Sequence, residues 1–138
     1  MKEKTILIIE DNKMNMEMAT DLLEIANYNV LQAENAEDGI QMAKEKHPDL
    51  ILMDIALPGM DGLEATRVLK KEKQTKDIPV VALTAHAMKD DNDEALKIGC
   101  SGYITKPINT RTFATAIGHF FSPNIKKNKG DGYFIHYL

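Results

Sequence analysis

Five short apolar runs, each closed by a polar residue, constrain this chain more than any other feature. Thr5-Ile6-Leu7-Ile8-Ile9 is continuous and β-branched, as expected of a strand buried on both faces. It stops at Glu10-Asp11-Asn12, after which Met14, Met18, Leu22 and Ile25 recur at helical spacing. A second strand is expected near Tyr28 to Ala33. Ala36, Ile40 and Ala43 mark a second helix that ends before His47-Pro48. Leu50-Ile51-Leu52-Met53 is a third strand, closed by Asp54. Leu57 to Gly62 is a loop punctuated by Pro58, Gly59 and Gly62, and a third helix runs from about Leu63 to Lys73. Pro79 to Leu83 is a fourth strand closed by Thr84. A fourth helix is expected over about Met88 to Ile98, with Gly99 as its stop. Tyr103-Ile104-Thr105 is a short fifth strand ending at Lys106-Pro107, and Phe113, Ile117 and Phe120 mark a fifth helix. Five β–α units in succession predict a doubly wound (βα)5 sandwich, an α/β fold built on a parallel sheet.

Composition narrows the reading. The chain has 138 residues, enough for one domain of ordinary size. Hydrophobic residues make up 43% and charged residues 28%, a globular balance. Tryptophan is absent, and Tyr133, Phe134 and Tyr137 crowd into the last six positions, so the core must be aliphatic. The net charge is −4, whereas a phosphate-backbone binder needs a clustered basic face, so nucleic acid is not an expected partner. One cysteine, Cys100, permits no intramolecular disulfide and reads as a small buried hydrophobe. The longest N-terminal apolar run, Ile6 to Ile9, is too short for a signal peptide or a membrane span, so a cytoplasmic location and no membrane partner are expected. Residues 1–121 form the predicted domain. Ser122-Pro123-Asn124 breaks the last helix, Lys126 to Gly130 reads as a flexible basic linker, and Tyr133 to Leu138 is a short apolar tag. For this tail, 122–138, a flexible reading is preferred over a docking peptide.

The position of the polar residues carries the chemistry. Glu10 and Asp11 follow the first strand, Asp54 the third, Thr84 the fourth and Lys106 the fifth. Carboxyl ends of parallel strands share one edge, where open α/β sheets bind ligands. Three carboxylates would then meet, and two unit charges about 4 Å apart repel by roughly 4 kcal/mol at an effective dielectric of about 20. A hard divalent cation removes that repulsion, and Mg²⁺ suits a site of few carboxylates, waters and a phosphate. Lys106 adds an ammonium and Thr84 a hydroxyl, which completes a clamp for phosphoryl oxygens. Asp54 is the candidate nucleophile: it is anionic at neutral pH and needs no general base.

These residues resemble the receiver domain of two-component response regulators. The matching pieces are Ile8-Ile9-Glu10-Asp11-Asn12, Leu52 to Gly62 around Asp54, Ala82-Leu83-Thr84-Ala85 and Tyr103-Ile104-Thr105-Lys106-Pro107-Ile108. They cover about residues 3–121, in order and each at a strand end. Within the family, Asn12 to Met16, Thr84 to Lys89 and Gly99-Cys100 are most similar to DivK-type single-domain regulators, and also to receivers attached to hybrid histidine kinases. The resemblance implies a flavodoxin-like, CheY-like strand order 2-1-3-4-5. It implies that Asp54 accepts a phosphoryl group from a histidine kinase or a histidine phosphotransfer protein. Glu10, Asp11, Asp54 and the backbone carbonyl of Ala56 would hold Mg²⁺, with Mn²⁺ as an alternative. Thr84 and Lys106 would bind phosphoryl oxygens, Thr84 and Tyr103 would form the switch, and Lys106-Pro107 would be a cis peptide. The face of the first and fifth helices, with Met14, Asn15 and Met18, would dock the phosphodonor. A downstream protein effector and a monomer or weak dimer are expected. Ala56 and His86, at two variable positions, suggest a long-lived phosphoryl group.

Other readings are weaker. A haloacid-dehalogenase-type phosphatase needs an acid two residues after its nucleophile, where Ala56 stands. No GxxxxGK[ST] loop and no GxGxxG after the first strand are present, and a flavodoxin would want a hydroxyl-rich phosphate loop where this chain has acids. The chain is therefore expected not to be an enzyme beyond self-phosphorylation and self-dephosphorylation. A receiver fragment of a hybrid kinase, a phosphorelay intermediate and a phosphorylation-independent docking module remain as alternatives.

Overall fold

The apolar run of β1 (Thr5–Ile9) is buried on both sides because the strand lies inside the sheet, between β2 (Asn29–Ala33) and β3 (Leu50–Asp54). β4 (Val80–Thr84) and β5 (Gly102–Thr105) complete a five-stranded parallel sheet in the order β2-β1-β3-β4-β5. The computed structural model describes residues 4–57, 59–84 and 96–121. Period-two alternation divides each inner strand between two cores. Ile6, Ile8, Leu50, Leu52, Val81, Leu83 and Ile104 face one helical layer, where they meet Met16, Leu23, Phe113 and Ile117. Leu7, Ile9, Ile51, Met53, Val80 and Ala82 face the other, with Ile40, Ala43, Ala65 and Leu69. The first layer is α1 (Lys13–Ile25) and α4 (Phe113–His119); the second is α2 (Ala36–Lys46) and α3 (Gly62–Lys71).

Each of the first three helices begins on a short polar residue. Asn12, Asn35 and Asp61 cap α1, α2 and α3 by accepting from the backbone N–H of Asn15, Asp38 and Glu64 at 2.9, 2.8 and 2.8 Å. α2 also carries Glu37 and Asp38 in its first turn and Lys44 and Lys46 in its last, the signs that the helix dipole favours.

The α1 face differs from the one expected. Met16, Ala19 and Leu23 are buried, whereas Met14 is 73% exposed and Ile25 82% exposed. Met14 and Ile25 each stand two residues from a buried one, about 200° around the helix, so the turn of α1 that buries Met16, Ala19 and Leu23 leaves them facing away from the sheet. The helix expected over about Met88 to Ile98 lies outside the described residues except for Leu96 and Lys97, which are helical, and Ile98, which is already in the turn before Gly99. The tail, 122–138, also lies outside them. No helix among the described residues is long and apolar enough to cross a membrane.

Gly62, the first residue of α3, fixes how closely that helix approaches the end of β3. A Cβ there would lie 2.3 Å from the Asp54 carbonyl oxygen and 2.7 Å from Ile55 Cα, and the Gly62 N–H donates to Ile55 O at 3.0 Å. Both obstacles are backbone, so a methyl group can be accommodated only by moving the helix or the loop after Asp54. Gly62→Ala is expected to lower stability by about 1–3 kcal/mol, read as a lower urea midpoint with an unchanged slope.

Candidate functional site

The alternation that builds the first core also aims the site residues. Glu10 continues the parity of Ile6 and Ile8, Asp54 that of Leu50 and Leu52, and Lys106 that of Ile104. The backbone ladder carries the strand ends to one edge: Glu10 N–H donates to Ala33 O at 3.0 Å, Ile55 N–H to Leu83 O at 3.0 Å, and Lys106 N–H to Thr84 O at 2.7 Å. Residues 44 and 52 positions apart in sequence therefore meet. Lys106 Nζ lies 3.2 Å from Asp54 Oδ1 and 3.9 Å from Glu10 Oε1. One carboxylate oxygen from each of Glu10, Asp11 and Asp54 falls within 4.8 Å of the others.

The structure thus brings together Glu10, Asp11, Asp54 and Lys106. Thr84 ends β4 at the same edge, 5% exposed, in register with Thr105. Tyr103 is half-buried in register with Ala82 and packs against the α2–α3 core. The Lys106–Pro107 peptide bond is cis. Ala56 is exposed, and His86 lies outside the described residues. Two participants are backbone groups that no residue pattern announces. The Ala56 N–H donates to Asp54 Oδ1 at 3.0 Å, and the Asn12 N–H to Glu10 Oε2 at 3.0 Å. Gly62 is a third, through its contact with the Asp54 backbone; the Asp61-Gly62 pair at a helix start was its only signal.

Burial sets the electrostatics. Glu10 is 1% exposed and Asp54 2%, while Asp11 is exposed. Burial pushes the Glu10 carboxyl up to about 7; the Asn12 N–H pulls it down, the neighbouring Asp54 carboxylate raises it, and Lys106 lowers it. Glu10 Oε1 is buried and has no hydrogen-bond partner among the described residues. An unsatisfied carboxylate oxygen facing a second carboxylate is an incomplete arrangement for protein atoms alone. It suits a hard divalent cation, which takes oxygen donors and offsets like charge. The acidic cluster therefore has the donors to bind a metal ion.

The same burial fixes a pH dependence in chelator. Between about pH 4.5 and 7 the folded chain holds a proton on Glu10 that the unfolded chain releases, so this group's contribution to stability falls as pH rises. Glu10→Gln removes that dependence. Relative to the parent, the variant should gain on the order of 1–3 kcal/mol between pH 5 and pH 8, measured by urea unfolding in EDTA; parallel pH profiles would refute the raised carboxyl.

Comparison with known proteins agrees with this geometry. The family model for the response regulator receiver domain matches residues 6–118. The polar-differentiation response regulators DivK of Brucella ovis and Brucella suis are 43% identical over 114 residues, which is 83% of this chain and 93% of theirs. Among solved structures, a response regulator from Chloroflexus aurantiacus superposes with a TM-score of 0.80 at 28% identity, over 84% of this chain and 95% of that one. The receiver domain of a sensor histidine kinase from Pseudomonas aeruginosa, solved with a magnesium ion in its active-site cleft, gives 0.75 at 30% identity, over 81% and 92%. Chemotaxis response regulator CheY4 of Vibrio cholerae shares the fold, with a TM-score of 0.81 at 24% identity over 85% and 98%. An acidic strand-end cluster bridged by a lysine, on a sheet ordered 2-1-3-4-5, thus accompanies a family match across most of the sequence: this chain belongs to the response regulator receiver domain family of two-component signalling.

Proposed function

We propose that the chain is a cytoplasmic, single-domain response regulator that takes a phosphoryl group on Asp54 from a histidine kinase or a histidine phosphotransfer protein and signals by contact with a downstream protein. The observation that carries this reading is the buried Asp54 carboxylate, 3.2 Å from the Lys106 ammonium and clustered with Glu10 and Asp11. The DivK relatives support the single-domain form, since this chain covers 93% of their length. A relay intermediate would use the same site.

In the transfer, the N–P bond of a phosphohistidine breaks, its electron pair returns to the imidazole nitrogen, and an Asp54 carboxylate oxygen forms the new P–O bond. The Ala56 N–H and Lys106 hold Asp54 in place. Lys106 also faces the charge that gathers on the phosphoryl oxygens, with the Thr84 hydroxyl as a further donor. Glu10, Asp11, Asp54 and the Ala56 carbonyl would hold Mg²⁺, or Mn²⁺, which neutralises the acids and the incoming phosphoryl group. The added charge, about −1.5 to −2, draws Thr84 inward and opens space for Tyr103, and a partner that prefers this arrangement shifts the population toward it. Apart from self-phosphorylation and self-dephosphorylation no enzymatic activity is assigned.

Phosphotransfer profiling against candidate kinases and phosphotransfer proteins tests the reading. Label is expected on the parent in Mg²⁺, and none on Asp54→Asn or in EDTA. Beryllofluoride with Mg²⁺ should shift amide NMR signals around Asp54, Thr84 and Tyr103; an unchanged spectrum would favour a docking module that needs no phosphorylation. Ala56 has only a methyl group at the position from which a side chain would orient an attacking water. The aspartyl phosphate should therefore persist for minutes or longer, and a half-life of a few seconds would overturn that.

A further inference from the structure

Glu10 enters the acidic cluster on a long, rotatable side chain whose end has few partners. Its Oε2 accepts from the Asn12 N–H at 3.0 Å, and its Oε1 has no hydrogen-bond partner among the described residues. Lys106 Nζ stands 3.9 Å from Oε1, beyond hydrogen-bond reach. Asp54 is held more firmly, by the Ala56 N–H at 3.0 Å and by Lys106 at 3.2 Å. The aim of the Glu10 carboxylate therefore depends on the direction of one peptide N–H.

That N–H belongs to the residue that starts α1. Asn12 has extended backbone angles, φ −83° and ψ 119°. Its carbonyl accepts from the Met16 N–H at 2.9 Å, and its side-chain Oδ1 accepts from the Asn15 N–H at 2.9 Å. The first bond needs only backbone, whereas the second needs a short polar side chain. With carbonyl and side chain both tied to the first helical turn, the tetrahedral geometry at Cα fixes where the Asn12 nitrogen lies. Glu10 thus takes its aim from the helix, through Asn12. Without Oδ1 the Asn15 N–H loses its acceptor and the helix start frays, and the Asn12 nitrogen moves with it.

We propose that the Asn12 side chain is a positioning group for the acidic cluster: by capping α1 it sets the N–H that aligns Glu10 toward a bound cation, which rests on the reading of Glu10, Asp11 and Asp54 as metal donors. Two measurements test it on the parent, Asn12→Ala, Asn12→Gly and Asn12→Ser: the Mg²⁺ dissociation constant by calorimetry, and exchange of the residue-12 amide by NMR in EDTA. Partners behind metal donors typically govern affinity by roughly 10–100-fold. The N–H itself survives substitution, so Asn12→Ala should bind Mg²⁺ about tenfold more weakly, with a residue-12 amide that exchanges about tenfold faster or more. Asn12→Ser, which supplies an oxygen at the same place, should recover most of both. Glycine separates aiming from capping. It costs a helix start less than alanine does, yet it has no oxygen, so Asn12→Gly should keep a urea midpoint near the parent's and still bind Mg²⁺ as weakly as Asn12→Ala. Asn35, which caps α2 by the same bond, is the control: Asn35→Ala should lose stability and keep its Mg²⁺ affinity. Mg²⁺ affinities of Asn12→Ala and Asn12→Gly indistinguishable from the parent's would overturn the proposal. So would affinities that merely follow the urea midpoint across all four variants. A parent that binds no Mg²⁺ would instead sink the metal reading, and equal residue-12 exchange rates in EDTA would then sink this one as well. If Asn12→Ala fails to fold, Asn12→Gly carries the comparison.

Discussion

A lysine shared between two buried carboxylates governs this molecule. Lys106 pairs with Asp54 at 3.2 Å and reaches Glu10 only at 3.9 Å, so one ammonium faces more negative charge than it can neutralise. In bulk water such an excess would cost little. At the edge of a close-packed sheet, burial drives the Glu10 carboxyl up to about 7, and the neighbouring Asp54 carboxylate adds to the rise. The fold holds the acids in place regardless, because each is the residue after, or the last residue of, an apolar strand whose register is set by two cores. Stability comes from the strands, and the unbalanced negative charge is carried at their ends, where a cation would offset it together with the charge of an incoming phosphoryl group.

The fold was legible because both faces of the inner strands are covered. A strand buried on both sides must be apolar throughout, so Ile6–Ile9, Leu50–Met53 and Val80–Leu83 stand out, and the polar residues closing them stand out with them. That is why Glu10, Asp54, Thr84 and Lys106 could be singled out without coordinates. α1 was harder. Its sequence offers Met14 and Ile25 as readily as Met16 and Leu23, and only the rotation of the helix against the sheet decides which are covered.

Other features left almost no trace because they depend on backbone. The Ala56 and Asn12 N–H groups that bind the carboxylates belong to residues whose side chains give no hint of it. Gly62 resembled loop punctuation, yet its absent Cβ is what lets α3 start against the Asp54 carbonyl. Cys100 was read as a small buried hydrophobe and is one, but its surroundings include Thr66 and the ammonium of Lys70. Burial drives its thiol up to about 11 despite both of those neighbours, a value at which the neutral form prevails.

The same parallel sheet separates two kinds of incompleteness. At the carboxyl ends of the strands it leaves negative charge to be neutralised, a demand that a small cation can meet and release. Along the side of β2 it leaves backbone donors and acceptors to water. The two lie at right angles: the site looks along the strands and the open edge looks across them. Glu10 connects them through one bond, its N–H to Ala33 O at the end of β2, while its side chain belongs to the acidic cluster. Whatever stiffens β2 therefore acts on the residue that anchors Glu10, without touching Asp54 or Lys106.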